Sequence, residues 1–523
     1  MRIRRPKNFQ WKILGKLVKS FRQDLSESDF KLIDGIVRRR DLEALTSLES
    51  SWGPQVLAST DISLQEFVAK YQLSATLKKY PFPGSDEICR ANALKGFIKA
   101  ENLCKRFNEK GYRTMLRMNE IDPDLSGFLD IAKHFIVQVV GSTCDPSQIF
   151  RRGRHGPGSS LCTDKGRVTP YYKWGDLPYS VTPTFRHQAI ELIESDPRWI
   201  GALNNWYREK YNIPFNMPIS REDLFNKALK TVNYNRIAFV PKVHNKHRVI
   251  ALEPRLNLFA QLGVDHFIRT RLKRFGCDLD SQLKNQILAY EGSVTQAYAT
   301  LDLSMASDTI SLKLIELLFP PMWVNLFYDL RCPFGQLENP VEYFGYSKIS
   351  SMGNGFTFAI ESLIFLSLIY AAVTCWNRRK GRKEFNPIRD VAVFGDDLVI
   401  PTKLTKDVKL LLYWSGFRLN TEKSFSSGPF RESCGKDYFR GTSVRPLQFK
   451  KECLDVVELY SIINRARYWD HQRSAEGLIG TRYEALADYV LKYVPKRFRL
   501  IVGPPSNEEF DTYLHTPLEK AKP

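Results

Sequence analysis

Two aspartates stand side by side in the stretch VAVFGDDLVIP. Asp396 and Asp397 follow Gly395, between the apolar runs Val391–Phe394 and Leu398–Ile400. At about 4 Å two like charges repel by roughly 1 kcal/mol in water and roughly 4 kcal/mol at an effective dielectric near 20. A short apolar hairpin carries that repulsion when a cation answers it. Mg²⁺ suits the task, because it takes a few carboxylates and keeps water and phosphate oxygens. Ion pairs of this kind activate an attacking hydroxyl and stabilise the leaving oxygen in phosphoryl transfer. Adjacent residues on a regular strand face opposite ways. A tight turn relaxes that rule, so the two aspartates need not share one role. A third carboxylate is needed, and Asp302 supplies it from the end of the apolar stretch AYATL, 94 positions upstream (396 − 302). The acids then meet if the two strands are sheet neighbours. Gly-Asp-Asp alone is also ordinary turn chemistry, so the weight falls on the elements around it.

Those elements alternate between strand and helix. LDLSMASDTISLKLIELLF reads as a strand ending near Asp302, then a helix with Ser307 or Asp308 as its N-cap. SSMGNGFTFAIESLIFLSLIYAA is a glycine-rich loop feeding a long apolar helix. That helix could pass for a membrane span over Phe356–Trp376, but Glu361, Ser362, Ser367 and Thr374 interrupt it, which predicts a buried helix instead. VAVFGDDLVIP predicts a β-hairpin with a short turn. Further upstream, strands at 236–240 and 248–252 flank the basic loop PKVHNKH, and a helix follows. The first 150 residues and the region after about 450 read mainly as helix. The basic N-terminus, with Trp11, Leu14, Val18 and Phe21 at helical spacing, predicts a surface helix. Strands alternating with helices, with aspartates at strand ends, give an α+β sheet domain.

Composition narrows the partners. The 523 residues hold 77 Lys and Arg against 57 Asp and Glu, a net charge of +20. Self-repulsion on that scale is matched by a polyanion, with nucleic acid first and an anionic membrane surface second. Nine cysteines without a CxxC pair predict reduced thiols rather than a disulfide frame. With eight histidines and neither HExxH nor Cys/His zinc spacing, a bound metal falls to carboxylates. No continuous apolar signal segment opens the chain. GPFRESCGK is superficially like a Walker A loop, but its spacing is wrong and Asp437 stands where Ser or Thr is required.

In chain order, VPKVHNKHRVIALEPRLNLF, LDLSMASD, SSMGNGFTF, VFGDDLVIP and NTEKSF follow the sequence of polymerase motifs F, A, B, C and D. Together with EGSVTQAYATLDLSMASDTIS and GPFRESCG, they resemble the replicases of the small single-stranded RNA bacteriophages, the leviviruses. The resemblance is strongest over about residues 235–445. Two departures stand out: Phe394 precedes Gly-Asp-Asp where the family generally has Tyr, and Met305 replaces a small residue.

The resemblance implies a right-hand polymerase: a palm with an antiparallel sheet backed by helices, fingers and a thumb. It divides the chain into an N-terminal helical region (1–150), fingers with the basic hairpin (151–299), a palm (300–445) and a helical thumb (446–523). It implies an RNA-directed RNA polymerase replicating a phage genome, with initiation that needs no primer. Asp302, Asp396 and Asp397 become catalytic ligands of two Mg²⁺ ions, with Mn²⁺ as a substitute. Lys423 becomes the motif D lysine that protonates pyrophosphate. Asp308, Ser351, Gly353 and Asn354 take the ribose, whose 2′-OH both donates and accepts. Lys242, Lys246, Arg248 and Arg255 line the path of the triphosphate. Weaker RNA contacts are expected from Arg151, Arg152 and Arg154, and from Arg378 and Arg379. RNA, NTPs, host elongation factors Tu and Ts and ribosomal protein S1 are the implied partners, in the cytoplasm of a bacterial host and without a membrane. The rival readings are a reverse transcriptase and a non-catalytic RNA-binding protein on a polymerase scaffold. The first has no use for a grip on the 2′-OH, and the second none for intact acids.

Overall fold

The computed structural model describes residues 8–58, 61–79, 86–161, 166–243, 246–338, 340–447, 455–475, 483–504 and 512–516. The chain forms two compact units: 1–92 with 241–247 and 427–523, and 93–240 with 248–426.

In the unit built from the chain ends, helix Phe9–Ser20 buries Phe9, Ile13, Leu14, Leu17 and Val18. Trp11 is only half-buried. The expected surface helix is therefore a core helix. Its counterpart is C-terminal: Phe9 packs on Tyr489 and Tyr493, and Phe21 meets Trp469 and Tyr483 edge-on. GPFRESCGK folds as the antiparallel hairpin Phe430–Ser433/Lys436–Phe439. Cys434 and Gly435 both take positive φ at its turn, as a two-residue type I′ loop requires. Phe67 of helix Leu64–Lys79 stacks on Phe439 at 3.9 Å, and Tyr71 donates to the buried Asp437 at 2.9 Å. Asp437 also pairs with Arg445 at 2.7 Å, so the residue that breaks the Walker pattern is a core polar tie.

The second unit carries the acids. Strands Tyr298–Leu301, Asp397–Pro401 and Ala392–Phe394 form a three-stranded antiparallel sheet in that order, as the hairpin reading expects. Helices Leu283–Thr295 and Thr357–Lys380 pack against this sheet. The latter is nearly all apolar and ends at Gly381 (φ +64°), with Arg378, Arg379 and Lys380 in its last turn facing the negative end of its dipole. It lies against helices Phe128–Val140, Arg255–Leu272 and Thr405–Trp414, and 83% of its most apolar stretch is buried. A mixed four-stranded sheet runs in the order Lys246–Leu252, Tyr234–Val243, Phe334–Glu338, Val341–Gly345. Its first two strands are longer than the sequence suggested and take up most of the basic loop; residues 244 and 245 lie outside the described set.

Replacing Phe21 by Ala removes a ring held between two aromatic partners. The substitution should destabilise its unit by about 3–5 kcal/mol, read by chemical denaturation. A loss under about 1 kcal/mol would show that the N-terminal helix is not part of that core.

Candidate active site

The ladder between strands Tyr298–Leu301 and Asp397–Pro401 ends with Leu301 opposite Leu398. One further step in the same register sets Asp302 across from Asp397. Phe394 pairs with Asp397 on the other side, leaving Gly395 and Asp396 as the two-residue turn. Gly395 has φ +60° and Asp396 does not share that positive φ, the arrangement of a type II′ turn. A Cβ on Gly395 would lie 2.5 Å from the Phe358 ring and 3.0 Å from Glu361 Oε1. Glycine is therefore required there for both space and backbone geometry.

The turn is held from below by helix Thr357–Lys380. The Gly395 N–H donates to Ser362 Oγ at 3.0 Å, and Ser362 Oγ donates to the Phe358 carbonyl at 2.7 Å. Phe394 meets Phe358 edge-on at 5.1 Å, so the ring that replaces the family's Tyr packs on its own support. On the other flank, Asn420 Nδ2 donates to Asp302 Oδ2 at 2.7 Å, its backbone N–H donates to the Asp302 carbonyl, and Ser424 Oγ accepts from Asp302 N at 3.1 Å. Asn285 Nδ2 donates to the Asp397 carbonyl at 3.0 Å. Lys423 follows directly in this flank, half-exposed in the turn Thr421–Lys423.

Beneath the acids lies a residue whose role the sequence did not announce. Glu361 is 3% exposed, and Ser307 Oγ donates to its Oε2 at 2.8 Å. Burial pushes its carboxyl well above the usual range, and the charges of Asp396 and Asp308 push it the same way. Its two oxygens lie one against Gly395, the neighbour of Asp396, and one on Ser307, the neighbour of Asp308. In the sequence it was visible only as a charge interrupting an apolar helix.

Asp396 at the turn adjoins Asp397 at the strand's start, Asp302 lies across the register, and Asp396 forms no ion pair with Lys or Arg among the described residues. Such a donor set suits a hard divalent cation. The acids are not gathered around a point, however: among the described residues no three His, Cys, Asp or Glu side chains stand together as a metal cluster. The register sets Asp302 and Asp397 opposite each other, and Asp302 Oδ2 accepts from Asn420 Nδ2.

Three of the expected ribose residues, Ser351, Gly353 and Asn354, occupy one tightly pinned loop. Gly353 has φ +107°, and a Cβ there would lie 2.3 Å from the Ala251 carbonyl. Ala251 N donates to the Met352 carbonyl at 2.7 Å, and Gly355 N donates to Gln261 Oε1 at 2.9 Å. Ser350 accepts from Thr357 Oγ1, and Ser351 is buried beside it. Asn354 Oδ1 accepts from Phe356 N at 3.0 Å, whereas its Nδ2 is buried with no partner among the described residues. An unanswered buried donor costs about 1–3 kcal/mol, which a ligand acceptor would recover. Neither Ser307 nor Asp308 caps the next helix. Both side chains are already engaged, by Glu361 and Lys348, and Ser311 caps Leu312–Leu318 instead.

The basic residues divide. Arg248 is exposed on strand Lys246–Leu252, whose alternate residues His247, Val249 and Ala251 point inward; Lys246 is half-buried and Lys242 exposed. Arg255 is a correction: it is 1% exposed, and its guanidinium donates to the carbonyls of Lys173 and Asp176. It holds the start of its helix and is closed to a triphosphate in this structure. Arg378 and Arg379 lie exposed in the last turn of helix Thr357–Lys380, and each also makes a tie within the unit. Arg378 donates to the Ser126 carbonyl, and Arg379 pairs with Asp124 and Asp407, both at 2.9 Å. Arg151 and Arg152 are exposed, and Arg154 stands 3.6 Å from Asp265.

Comparison with known proteins adds to this geometry. The sequence profile of the family described as RNA replicase, beta-chain, matches residues 37–522. The RNA-directed RNA polymerase subunit beta of Escherichia virus Qbeta is 32% identical over 83% of this chain and 67% of its own length. That of Qbeta virus strain MX1 is 33% identical over 78% of this chain and 64% of its own length, so this chain spans about two thirds of these relatives. The RNA-directed RNA polymerase beta chain of Enterobacteria phage fr is 31% identical over 82% and 74%. Among solved structures, the RNA-dependent RNA polymerase of BmCPV overlaps 71% of this chain and 33% of its own at 10% identity, with a TM-score of 0.41. An RNA polymerase complex inside a dsRNA virus overlaps 87% and 44% at 8% identity and 0.37, and overlaps this loose define no fold.

Gly395→Ala should cost roughly 1–3 kcal/mol in stability and remove any activity housed at the turn; a folded, fully active variant would refute the packing described. Glu361 yields a pH prediction. Its ordinary value is 4.5 and the fold raises it. The native state therefore retains a proton that the unfolded chain releases, and stability from this group is lost as pH climbs above that value. In metal-free buffer, Glu361→Gln should flatten the fall in melting temperature between about pH 5 and 8; parallel slopes would show that Glu361 is not held protonated.

Proposed function

Because the chain belongs to the RNA replicase beta-chain family of RNA bacteriophages and is an RNA-directed RNA polymerase, we propose that it joins ribonucleotides where Asp302 faces the Gly395–Asp397 hairpin. The observation that carries this reading is the antiparallel register itself, which sets the motif A acid opposite the motif C acids. Polymerases of this kind work with divalent metal ions. Asp302, Asp396 and Asp397 would hold two Mg²⁺ ions, or Mn²⁺ in their place. When bound, these ions supply Lewis acidity to the attacking hydroxyl and counter-charge to the leaving group.

The 3′-hydroxyl of the growing strand attacks the α-phosphate of an NTP, and pyrophosphate leaves. Asn420 and Ser424 fix the backbone and one carboxylate oxygen of Asp302, and Ser362 fixes the turn, so the acids need little reorganisation as charge develops. Asp308 and Asn354 receive the ribose: Asp308 accepts from the 2′-OH, and the unanswered Nδ2 of Asn354 donates to it. Ser351 and Gly353 set the loop's close approach. Lys242, Lys246 and Arg248 are proposed along the triphosphate path, and Lys423 as the proton donor to pyrophosphate. In hand terms, the three-stranded sheet is the palm, the basic hairpin belongs to the fingers, and the C-terminal helices form the thumb.

Replication of a phage RNA genome with primer-independent start, and assembly with host elongation factors Tu and Ts and ribosomal protein S1, complete the proposal by family likeness. The host cytoplasm is the proposed site of action, and it is compatible with the seven described cysteines, all free thiols. Purification from the natural host, with co-purifying proteins identified, tests the partners.

Asp302→Asn or Asp397→Asn should lower template-dependent synthesis at least about a hundredfold while RNA binding persists. Undiminished synthesis by either variant would end the reading. Binding of RNA should weaken steeply with salt, since counterion release accompanies each phosphate contact. Asn354→Ala should lose discrimination between NTP and dNTP, which separates this enzyme from a reverse transcriptase; a parent enzyme that favours dNTP would reverse the assignment.

A further inference from the structure

Among the described residues of the second unit, Lys348 is the most completely buried cation. It is 0% exposed, yet its ammonium lies 2.8 Å from Asp308 Oδ1 and 3.2 Å from Glu101 Oε1, and 3.6 Å above the centre of the Phe97 ring. Removing an ammonium from water costs several kcal/mol, which is offset here by two carboxylates and an aromatic face. The backbone repeats the link. Ser311 bridges Lys348, and Ile349 N donates to the Ile310 carbonyl at 2.9 Å. The segment that follows Asp308 is thus zipped to the segment that precedes the Ser350–Gly355 loop. Helix Asp86–Arg106 closes the arrangement through Glu101 Oε2, which accepts from Ser347 N at 2.8 Å.

A carboxylate used to sense a hydroxyl must be held at a fixed angle. Lys348 meets that need: its single contact to Oδ1 fixes the carboxylate and leaves Oδ2 without a hydrogen bond among the described residues. We propose that Lys348 is the positioning residue of ribose selection, aiming the second oxygen of Asp308 at the 2′-OH of the incoming nucleotide. This rests on the reading that Asp308 contacts the ribose. Lys348 itself touches no substrate. A contact made to the 2′-OH alone discriminates strongly, because a nucleotide lacking that group leaves a buried acceptor unanswered.

The test compares kcat/KM for NTP and dNTP in the full chain. Lys348→Met should raise the KM for NTP and lower the NTP/dNTP ratio by at least about tenfold, leaving dNTP incorporation within about threefold. Glu101→Gln keeps the Asp308 contact and should hold the ratio within about twofold. Equal losses for NTP and dNTP in Lys348→Met, or the same fall in ratio from Glu101→Gln, would reduce Lys348 to a packing role and overturn the proposal. Should Lys348→Met not fold, Lys348→Gln, which still donates to Oδ1 without charge, should give an intermediate ratio, and a parental ratio there overturns it. Asp308→Ala run alongside separates the two claims. A relaxed ratio there with a parental ratio in Lys348→Met defeats Lys348 alone, whereas a parental ratio in Asp308→Ala defeats the ribose reading and the proposal together.

Discussion

Register is the constraint on which the site depends. Leu301 pairs with Leu398, and that single alignment decides that Asp302 and Asp397 face each other. Side chains alternate along a strand, so a slip of one residue would send the acids to opposite faces and the apolar residues to solvent. The apolar partners Ala299, Leu301, Leu398 and Ile400 are buried and hold the alignment against slippage. The same two strands therefore fix both the core and the chemistry. Repulsion among the acids is held in place by packing that none of them contributes to.

The support around the acids is polar but uncharged. Ser362, Asn420, Ser424 and Asn285 bind backbone groups or one carboxylate oxygen of the catalytic segments. Charged support is kept one layer away, in Lys348. Neutral donors near the acids leave their charge available to a cation, whereas a Lys or Arg at that distance would compete with it.

Much of this was legible in the sequence, and the limits follow from physics. The hairpin around Gly395 was readable because a two-residue turn has few solutions and glycine marks one. The long helix was readable from its apolar run, and its burial within the unit agrees with the buried helix that Glu361 pointed to. Ser307 and Asp308 were misread as helix caps because local spacing cannot show that distant Glu361 and Lys348 claim their side chains. Arg255 looked like a free cation, yet its partners are carbonyls of residues 173 and 176, which no charge pattern reveals. The stripe of the first helix was seen, but the aromatic residues that cover it lie more than 400 positions away. Lys348, Asn420 and Ser362 carry no signal of their own, since each acts through a fold-dependent neighbour.

That long separation has a consequence for synthesis. The helix Phe9–Ser20 is made more than 400 residues before Trp469, Tyr483, Tyr489 and Tyr493. Throughout that interval its apolar face has no native covering, a state prone to aggregation until those residues follow. Closing a loop of that size is also slow relative to local helix formation. The nascent protein therefore depends on quick completion, or on a chaperone shielding that face, well before it ever meets a template.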